Sequence, residues 1–493
     1  MVRHLPVRQI LQKGCILLLC LMMLVQIGLG FAWMAGNFGT VPGFGDTTEY
    51  LNLSDSFALD EYRPVLYPLF LRLVRVVSSA LGWEYQYLVY VIQAGLCLAL
   101  VFVFLRRLFF ERLASVFRKE QNRYLILSVF ALYIWTTPMI LWMNFTVLTD
   151  SFGLSFLLLM LIGLERYKTA ENRKECILAG IETGAGYLLQ ALTRADRVYS
   201  ALLCIILFAG FDLLKTRFGK GSFETWGSPF VRLAVISVSV VVSVSAVFVI
   251  RGLTQKPGDR VKTTLAYVLL DRVAWPHFSA NYESMPDEVR EVVTAEEAAV
   301  FDQHNNNVMY TTAPMIEARV GTEKAQEIYR QIAGTVWQNE PGTVIRDITD
   351  DILTFAGAPV TFWLSSKGQW SSTNTGWNIH CLSAATPELT ELCRQYYTWS
   401  LCNAFVVLAG IGIVLLLFAA GRKTFGGKMC EKQSGGRRYA LGGTALMSVI
   451  IILWFSLGDG APPNDRYLLI LYFLYDALLI RLALLPGVHG KQA

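Results

Sequence analysis

The sequence has little charge. Asp, Glu, Lys and Arg make up 16% of its 493 residues, whereas they make up about 25% of an average soluble protein. Hydrophobic residues make up 54% of the chain. They are gathered into blocks of roughly 20 residues, the length with which a helix crosses about 30 Å of hydrocarbon. This composition excludes an ordinary soluble domain and predicts an integral membrane protein.

The sequence also has no strong excess of charge of one sign. The formal net charge is +5, and it comes from short Lys/Arg clusters between the apolar blocks. Such clusters are typical of the loops of a membrane protein, so we expect no nucleic-acid partner.

Motifs that carry common enzyme chemistry are missing as well. The sequence has no P-loop, no HExxH, no CxxC pair and no nucleophile elbow. Its five histidines lack the spacing of metal ligands and are His4, His277, His304, His380 and His489. These absences argue against nucleotide hydrolysis and zinc chemistry.

The apolar blocks predict an all-α polytopic membrane protein with about ten transmembrane helices. The expected spans are 14–35, 86–105, 124–143, 150–167, 176–193, 198–214, 229–250, 399–420, 439–457 and 467–486. We expect a transmembrane core over 1–250, whose first outer loop at 36–85 carries the active site. A mostly helical outer-face domain follows over 251–398, and C-terminal transmembrane helices follow over 399–493.

The basic residues predict how the spans are oriented. With the N-terminus in the cytoplasm, the short Lys/Arg-rich loops after the second, fourth, sixth and eighth spans all fall on the cytoplasmic side. The C-terminus is then also cytoplasmic, and 36–85 and 251–398 lie outside the cell membrane. The first block could instead be a signal peptide, but it is longer than a typical hydrophobic region of such a peptide, which favours an uncleaved span.

The two outer segments give further expectations. Arg63-Pro64 opens an apolar stretch to Ala80 that carries Arg72 and Arg75 on one side, a pattern typical of an interfacial amphipathic helix. Cys381 and Cys393 lie within the second outer segment. On this oxidising side they form a disulfide or remain two unpaired thiols.

Carboxylates and arginines recur at the outer ends of the predicted helices. Asp46 and Glu49 follow the first span in a glycine-flanked turn, and Asp150 directly precedes an apolar block. The other members of this set are Arg63, Arg194, Arg197, Arg466 and Tyr467. Helix capping or snorkelling explains any one of these residues, but it explains less well why costly charge is placed repeatedly at the edge of hydrocarbon.

The order of these residues forms a pattern along the chain. The pattern consists of Asp46-x-x-Glu49-Tyr50, Arg63-Pro64-Val65-Leu66-Tyr67-Pro68, Thr149-Asp150, Leu192-Thr193-Arg194 and Arg466-Tyr467-Leu468. It resembles the motifs of GT-C fold glycosyltransferases, the polytopic enzymes that include protein O-mannosyltransferases and the aminoarabinose transferase acting on lipid A. The resemblance covers about 1–250 and 439–486. Val65 stands where the family has a second proline, and the outer domain precedes the last spans, whereas many members carry it at the C-terminus.

The resemblance implies transfer of a sugar from a polyprenyl-phosphate donor to a glycan, lipid or protein acceptor on the outer face of the bilayer. Asp46 would be the general base, with Glu49 and Asp150 as further catalytic candidates. The carrier phosphate would be bound by Arg63, Arg194, Arg197, Arg466 and Tyr467. No cofactor is expected, although Asp46 and Asp150 could hold a divalent cation.

Three alternatives stay open: a lipid or glycan transporter, a glycan polymerase or ligase of related architecture, and a non-catalytic scaffold. Transporters usually place polar groups and broken helices near the membrane midplane, whereas the charges of this sequence gather on one face. This distribution favours an enzyme at the interface. A scaffold would tolerate the loss of Asp46.

Overall fold

The structure is a computed structural model, and it describes residues 7–37, 45–57, 59, 63–114, 116–194, 197–218, 229–254, 264–303, 307–365, 438–458 and 469–484. Within these ranges the chain forms helices joined by short turns, and the ranges contain no β-strand. The predicted all-α architecture is therefore confirmed for the described part of the chain.

In the described part of the chain, ten helices precede the predicted outer domain. They are α1 (Val7–Asn37), α2 (Gly45–Ser56), α3 (Leu66–Leu81), α4 (Tyr85–Ala114), α5 (Glu120–Trp135), α6 (Pro138–Asn144), α7 (Asp150–Thr169), α8 (Arg173–Thr193), α9 (Arg197–Phe218) and α10 (Pro229–Thr254). The first seven predicted spans coincide with α1, α4, the pair α5 and α6, and α7 to α10. The remaining two helices, α2 and α3, lie in the predicted first outer loop.

The predicted outer domain at 251–398 is helical over most of its described residues, which are 251–254, 264–303 and 307–365. Its helices are α11 (Leu265–Leu269), which continues as a π-helical turn over Leu270–Ala274, α12 (Asp287–Val292), α13 (Ala295–Gln303), α14 (Ala313–Val320), α15 (Thr322–Asn339) and α16 (Pro341–Ser365). They enclose a hydrophobic core of their own, separate from the core of the other helices. Cys381 and Cys393 lie outside the described residues, so the predicted disulfide stays a prediction.

Two C-terminal helices complete the described chain, α17 (Arg438–Gly458) and α18 (Leu469–Ala483). They match the ninth and tenth predicted spans, whereas the span at 399–420 lies outside the described residues. α16 of the outer domain packs against both helices, and the Tyr475 hydroxyl of α18 donates a hydrogen bond of 3.0 Å to the Ala356 carbonyl of α16.

Among the described residues, three helices are long and apolar enough to cross a membrane by themselves: Ile16–Gly36 within α1, Tyr85–Ala114, and Val231–Thr254 within α10. The pair α5 and α6 gives a fourth if it forms one bent span. The exposed side chains of α10 support a membrane environment. This helix exposes Val238, Val241, Val242 and Phe248, an apolar face whose exposure is unfavourable in water but not in lipid. These helices support the membrane character of the chain, and the number of ten spans stays a prediction.

The predicted span at 124–143 is not one straight helix. α5 and α6 are bent by 79°, because Pro138 lacks an N–H group and disfavours a helical conformation in the preceding residue. Asp476 of α18 lies at this break and accepts a hydrogen bond of 2.5 Å from Thr137 Oγ1. The break therefore directs α6 and the buried segment 145–149 across the bundle toward Asp150.

Glycines allow α7 and α8 to approach each other closely. A Cβ atom at Gly186 of α8 would lie 2.4 Å from the backbone nitrogen of Met160 in α7, and one at Gly163 of α7 would lie 2.5 Å from the backbone nitrogen of Thr183 in α8. Small residues at such contacts are typical of helices that pack in a membrane. This packing brings the start of α7 beside the end of α8, where Asp150 and Arg194 lie.

The predicted interfacial helix is α3. Its buried side chains include Tyr67, Leu71 and Val74, and its exposed apolar face consists of Leu69, Leu73, Val76 and Val77. The helix ends at Gly82, whose φ of 68° is in the left-handed region that favours glycine. Only three residues separate α3 from α4, a candidate membrane span, so the exposed face fits a helix lying at the bilayer surface.

Candidate functional site

The first group of charged residues lies on and after α2. Nη2 of Arg63 is 2.9 Å from Oδ1 of Asp46 and 2.6 Å from Oε2 of Glu49. Arg63 Nε also donates to Glu49 Oε2 at 2.9 Å. One guanidinium therefore holds two carboxylates that are one helical turn apart. The Asp46 side chain is 26% exposed, so a molecule in solution can reach it.

Tyr50 lies beneath this group. Arg63 Cζ is 4.9 Å from the centre of the Tyr50 ring, a distance that suits a cation–π interaction. Burial raises the pKa of Tyr50, against the opposing charges of Arg63 and Arg194 and a hydrogen bond with Thr149. Burial also opposes the charge of Arg63, but Tyr50, Asp46 and Glu49 outweigh it, so the pKa of Arg63 is raised.

The second group contains Asp150 and Arg194. Asp150 begins α7, Arg194 follows the last residue of α8, and Arg194 Nη1 donates to Asp150 Oδ1 at 2.5 Å. The pair is well buried, with side-chain exposures of 10% for Arg194 and 3% for Asp150. Each charge supplies a partner that water would otherwise supply, which offsets part of the free energy that burying both charges costs.

A small cavity opens beside this second group. Its charged wall consists of Asp150, Arg194 and Arg197, and the rest of the lining is glycine and aliphatic: Gly153, Leu154, Leu157, Leu469 and Ile470. The cavity thus combines a polar wall having one net positive charge with apolar walls from α7 and α18. Such a combination suits an anionic group attached to an apolar chain.

The two groups are connected through the buried segment before α7. Thr47 Oγ1 of α2 donates to the Val147 carbonyl at 3.1 Å, and the Tyr50 hydroxyl is 3.4 Å from Thr149 Oγ1. Thr149 directly precedes Asp150. Because Arg63 and Arg194 both act on the pKa of Tyr50, both groups lie within electrostatic reach of one phenol.

Six of the residues selected from the sequence therefore fall into two neighbouring groups. One group is Asp46, Glu49 and Arg63, and the other is Asp150, Arg194 and Arg197. Arg466 and Tyr467 lie outside the described residues. Their predicted roles stay predictions, although the cavity wall includes Leu469, two positions beyond Tyr467.

Two residues that the sequence-based reasoning did not select also belong to this region. Tyr50 contacts Arg63 of the first group and lies within electrostatic reach of Arg194 in the second, and a signal for it was its place one residue after Glu49. Gln190 lies one helical turn before Arg194 and beside Gly153 of the cavity wall. A single glutamine in a predicted span was a signal too, because polar side chains are rare in transmembrane helices and usually have a function.

The divalent cation that Asp46 and Asp150 could share stays a prediction. Each of these carboxylates is paired with its own arginine. Over the described ranges no group of three or more His, Cys, Asp or Glu residues is arranged to hold a metal ion.

The chain was also compared with known proteins. It matches no protein-family model, no curated protein and no solved structure.

Proposed function

We propose that the protein is a membrane glycosyltransferase that moves a sugar from a polyprenyl-phosphate donor to an acceptor on the outer face of the membrane. One observation carries the proposal. A solvent-reachable carboxylate, Asp46, lies on the helix that Thr47 and Tyr50 connect to the segment before Asp150. The buried Asp150–Arg194 pair borders a small cavity with one charged wall and apolar walls. The reaction needs these three parts: a base, a phosphate site and apolar walls for a lipid carrier.

The transfer step uses the two groups differently. The acceptor hydroxyl oxygen attacks the anomeric carbon, and the bond from that carbon to the phosphate oxygen breaks. Its electron pair leaves with the lipid phosphate, and Asp46 takes the hydroxyl proton. Arg63 holds Oδ1 of Asp46 and so orients this carboxylate, with Glu49 as the second carboxylate on the same guanidinium.

The phosphate is bound in the cavity in this proposal. Arg194 and Arg197 approach from the charged wall, and the first isoprene units of the carrier lie along Leu154, Leu157 and Ile470. Arg194 can offer two parallel N–H groups to the leaving phosphate, which stabilises the charge that grows there. Arg466 and Tyr467 would add to this site.

The proposal includes a topology. The chain crosses the cell membrane about ten times, both termini lie in the cytoplasm, and the site faces outward. The exposed apolar face of α3 would lie in the outer leaflet next to the site. The acceptor is a glycan, a lipid or a protein, and a glycan polymerase or ligase would use the same chemistry with a growing glycan as one substrate.

Asp46→Asn tests the proposal. The amide keeps the size of the carboxylate but cannot take a proton, and general-base catalysis contributes about 10²–10⁴-fold, so transfer should fall by that factor. The purified full-length protein is incubated with polyprenyl-phosphate-linked sugars that have been extracted from the producing cells. The measurement is the rate at which sugar is released from these lipids. Asp55→Asn is the matched control, because Asp55 is an exposed residue of the same helix paired with Arg75.

Asp46 also lies in the first turn of α2, where a carboxylate caps or stabilises a helix. If capping were its only role, Asp46→Asn would retain nearly normal transfer, since asparagine caps equally well. That result would remove Asp46 from the mechanism and leave Glu49 or Asp150 as the base.

A transporter is the second candidate, and one feature favours it. α5 and α6 form a broken helix, and the buried Asp476 lies at the break, as broken helices and carboxylates do in many transporters. Movement of a polyprenyl-phosphate sugar across proteoliposome membranes without any transfer to an acceptor would favour this candidate.

A further inference from the structure

Two arginines and two aromatic rings form a cluster between the last turns of α4 and the start of α5. Cζ of Arg106 lies 5.8 Å from the centres of both the Phe110 and the Tyr124 rings. Cζ of Arg123 lies 4.9 Å from the centre of the Phe110 ring. The two rings contact each other, with their centres 4.9 Å apart. These distances suit cation–π interactions, so the rings hold guanidinium groups from two helices close together.

Carboxylates do not balance the positive charge of this cluster. In the part of the chain that the structure describes, neither Arg106 nor Arg123 forms an ion pair. The acidic residues nearby in the sequence, Glu111 and Glu120, are exposed and form no ion pair there either. The segment holds six basic residues: Arg106, Arg107, Arg112, Arg118, Lys119 and Arg123. An anion from the surroundings can balance this excess of positive charge.

The cluster lies at the opposite end of the helix bundle from the candidate site. Arg107, next to Arg106, pairs with Glu165 near the end of α7 at 2.7 Å, whereas Asp150 of the candidate site is the first residue of α7. With a rise of about 1.5 Å per residue, α7 spans roughly 22 Å between Asp150 and Glu165. In the topology proposed above, the cluster is on the cytoplasmic side.

Exposed apolar residues border the cluster. Val103 lies one helical turn before Arg106 and is 39% exposed, and Leu125 directly follows Tyr124 and is 66% exposed. α4 is one of the helices that are long and apolar enough to cross a membrane. The cluster therefore lies where apolar surface gives way to basic surface, which is the level of the lipid head groups in a bilayer.

We infer that Arg106 and Arg123 bind the head group of an anionic phospholipid in the leaflet at this end of the bundle. A guanidinium offers N–H donors in a fork that matches the oxygens of a phosphate. The acyl chains of the same lipid lie along the exposed apolar surface at Val103 and Leu125. Groups of four to eight basic residues beside a membrane span are typical of such binding. This binding is separate from sugar transfer and does not rest on it.

Membrane topology alone also places basic residues in such a segment. The positive-inside rule counts charge, so lysine or arginine at any position of a short loop satisfies it. It does not require two arginines against one aromatic ring. Arg173 and Lys174 show the simpler case, because they are exposed at the start of α8, at the same end of the bundle. Within the described ranges, neither of them contacts an aromatic ring.

The experiment measures lipid binding to the purified full-length protein in a non-ionic detergent by native mass spectrometry. The probes are phosphatidylglycerol, which is anionic, and phosphatidylcholine with the same acyl chains, which has no net charge. The wild type should bind phosphatidylglycerol more tightly, and equal affinities would overturn the inference. Arg106→Gln combined with Arg123→Gln should weaken phosphatidylglycerol binding about 5–30-fold, the loss expected for one to two basic residues at a membrane surface. Binding of phosphatidylcholine should not change, which shows that the lipid-facing surface is intact.

Two further variants separate the cluster from charge in general. Arg173→Gln combined with Lys174→Gln removes the same charge and should change phosphatidylglycerol affinity by less than about twofold. Arg106→Lys combined with Arg123→Lys keeps the charge but lacks the planar fork, and it should weaken binding about 3–10-fold. A loss in the Arg173/Lys174 variant as large as that in the Arg106/Arg123 glutamine variant would overturn the inference. So would wild-type affinity in the lysine variant, because charge alone would then account for binding.

Glycerol phosphate distinguishes a lipid from a soluble anion. It carries a phosphate without acyl chains, so at the concentration of the lipid it should not displace phosphatidylglycerol. Displacement would show that the cluster binds a soluble phosphate and would overturn its assignment to a lipid.

Discussion

Two exposed charged pairs of the outer domain differ from the charged groups of the candidate site in where they lie and what they connect. In the outer domain, Arg290 pairs with Asp287 and Arg330 with Glu327, each within one turn of a helix, and the four side chains are well exposed. At the candidate site, Arg63 and Arg194 reach carboxylates 14 to 44 residues away. The Asp150–Arg194 pair is well buried, whereas Arg63 and Asp46 are partly exposed and Glu49 is exposed.

The difference concerns what each pair does for the protein. Exposed pairs exchange water for a partner at little net gain, so they contribute little to stability. Burying an ion pair can cost more free energy in lost hydration than the attraction between the two charges returns. The candidate site nevertheless has such a pair, Asp150 and Arg194, beside a cavity, and the proposed reaction gives these charges a role.

Arg194→Ala should have the largest effect on stability, and it tests whether the two kinds of pair differ as described. The substitution leaves Asp150 buried and unpaired, which costs about 3–5 kcal/mol of unfolding free energy. The measurement is denaturant unfolding of the detergent-solubilised protein. Arg330→Ala in the outer domain is the control and should stay within the roughly 0.5 kcal/mol typical of surface changes.

A second variant shows whether the unpaired charge causes this loss. Asp150→Asn in the Arg194→Ala background removes the charge and should restore much of the stability without restoring carrier binding. Equal losses for Arg194→Ala and Arg330→Ala would mean that the buried pair is energetically an ordinary surface pair.

Replacing a glycine by alanine should also affect stability differently in the two regions, because a glycine of the tightly packed α8 has no room for a side chain and one in the outer domain does. A Cβ atom at Gly186 would meet the backbone of Met160, which cannot move aside, whereas one at Gly334 in α15 would meet nothing within 4 Å. Gly186→Ala should therefore destabilise the protein by about 1–3 kcal/mol through overpacking. Gly334→Ala should stabilise it by up to about 1 kcal/mol, because alanine favours a helix. Thermal unfolding of both variants checks the pair, and a neutral Gly186→Ala would contradict the close approach of α7 and α8.

The sequence predicted the positions of the helices because a helix that crosses lipid has to be apolar over about 20 residues. The block at 229–250, for example, forms Pro229–Thr254. It did not predict the break between α5 and α6. Pro138 lay inside the expected span, but membrane helices tolerate proline where neighbouring groups satisfy the backbone. Whether the chain kinks or turns away depends on neighbours such as Asp476, which composition does not reveal.

The candidate site, like the fold, was predictable from the sequence only in part. The sequence selected Asp46, Arg63, Asp150 and Arg194 as residue types at helix ends, because charge is costly there. Their pairing was not predictable, since Asp150 meets Arg194 only through the close approach of α7 and α8. Gln190 was missed for a related reason. Its amide in an apolar helix was a signal in the sequence, but whether that amide has a hydrogen-bond partner depends on packing.

The smallest expected effect concerns Glu297 and Arg319, the bidentate pair of the outer domain, with distances of 2.7 and 2.8 Å. Hydrogen bonds from Arg319 lower the pKa of Glu297 from its ordinary 4.5 to about 2. Because the folded-state pKa is depressed, the stabilisation is complete above about pH 4.5 and is lost as the pH falls toward 2.

Glu297→Gln should lower the melting temperature at pH 7 by less than about 2 °C, since both side chains are partly exposed. Below pH 4.5 the melting curves of wild type and variant should converge, measured by thermal unfolding of the full-length protein from pH 7 to pH 3. Parallel pH profiles would show that Glu297 keeps no charge-dependent contact with Arg319, and a loss as large as that of Arg194→Ala would remove the distinction between the two regions.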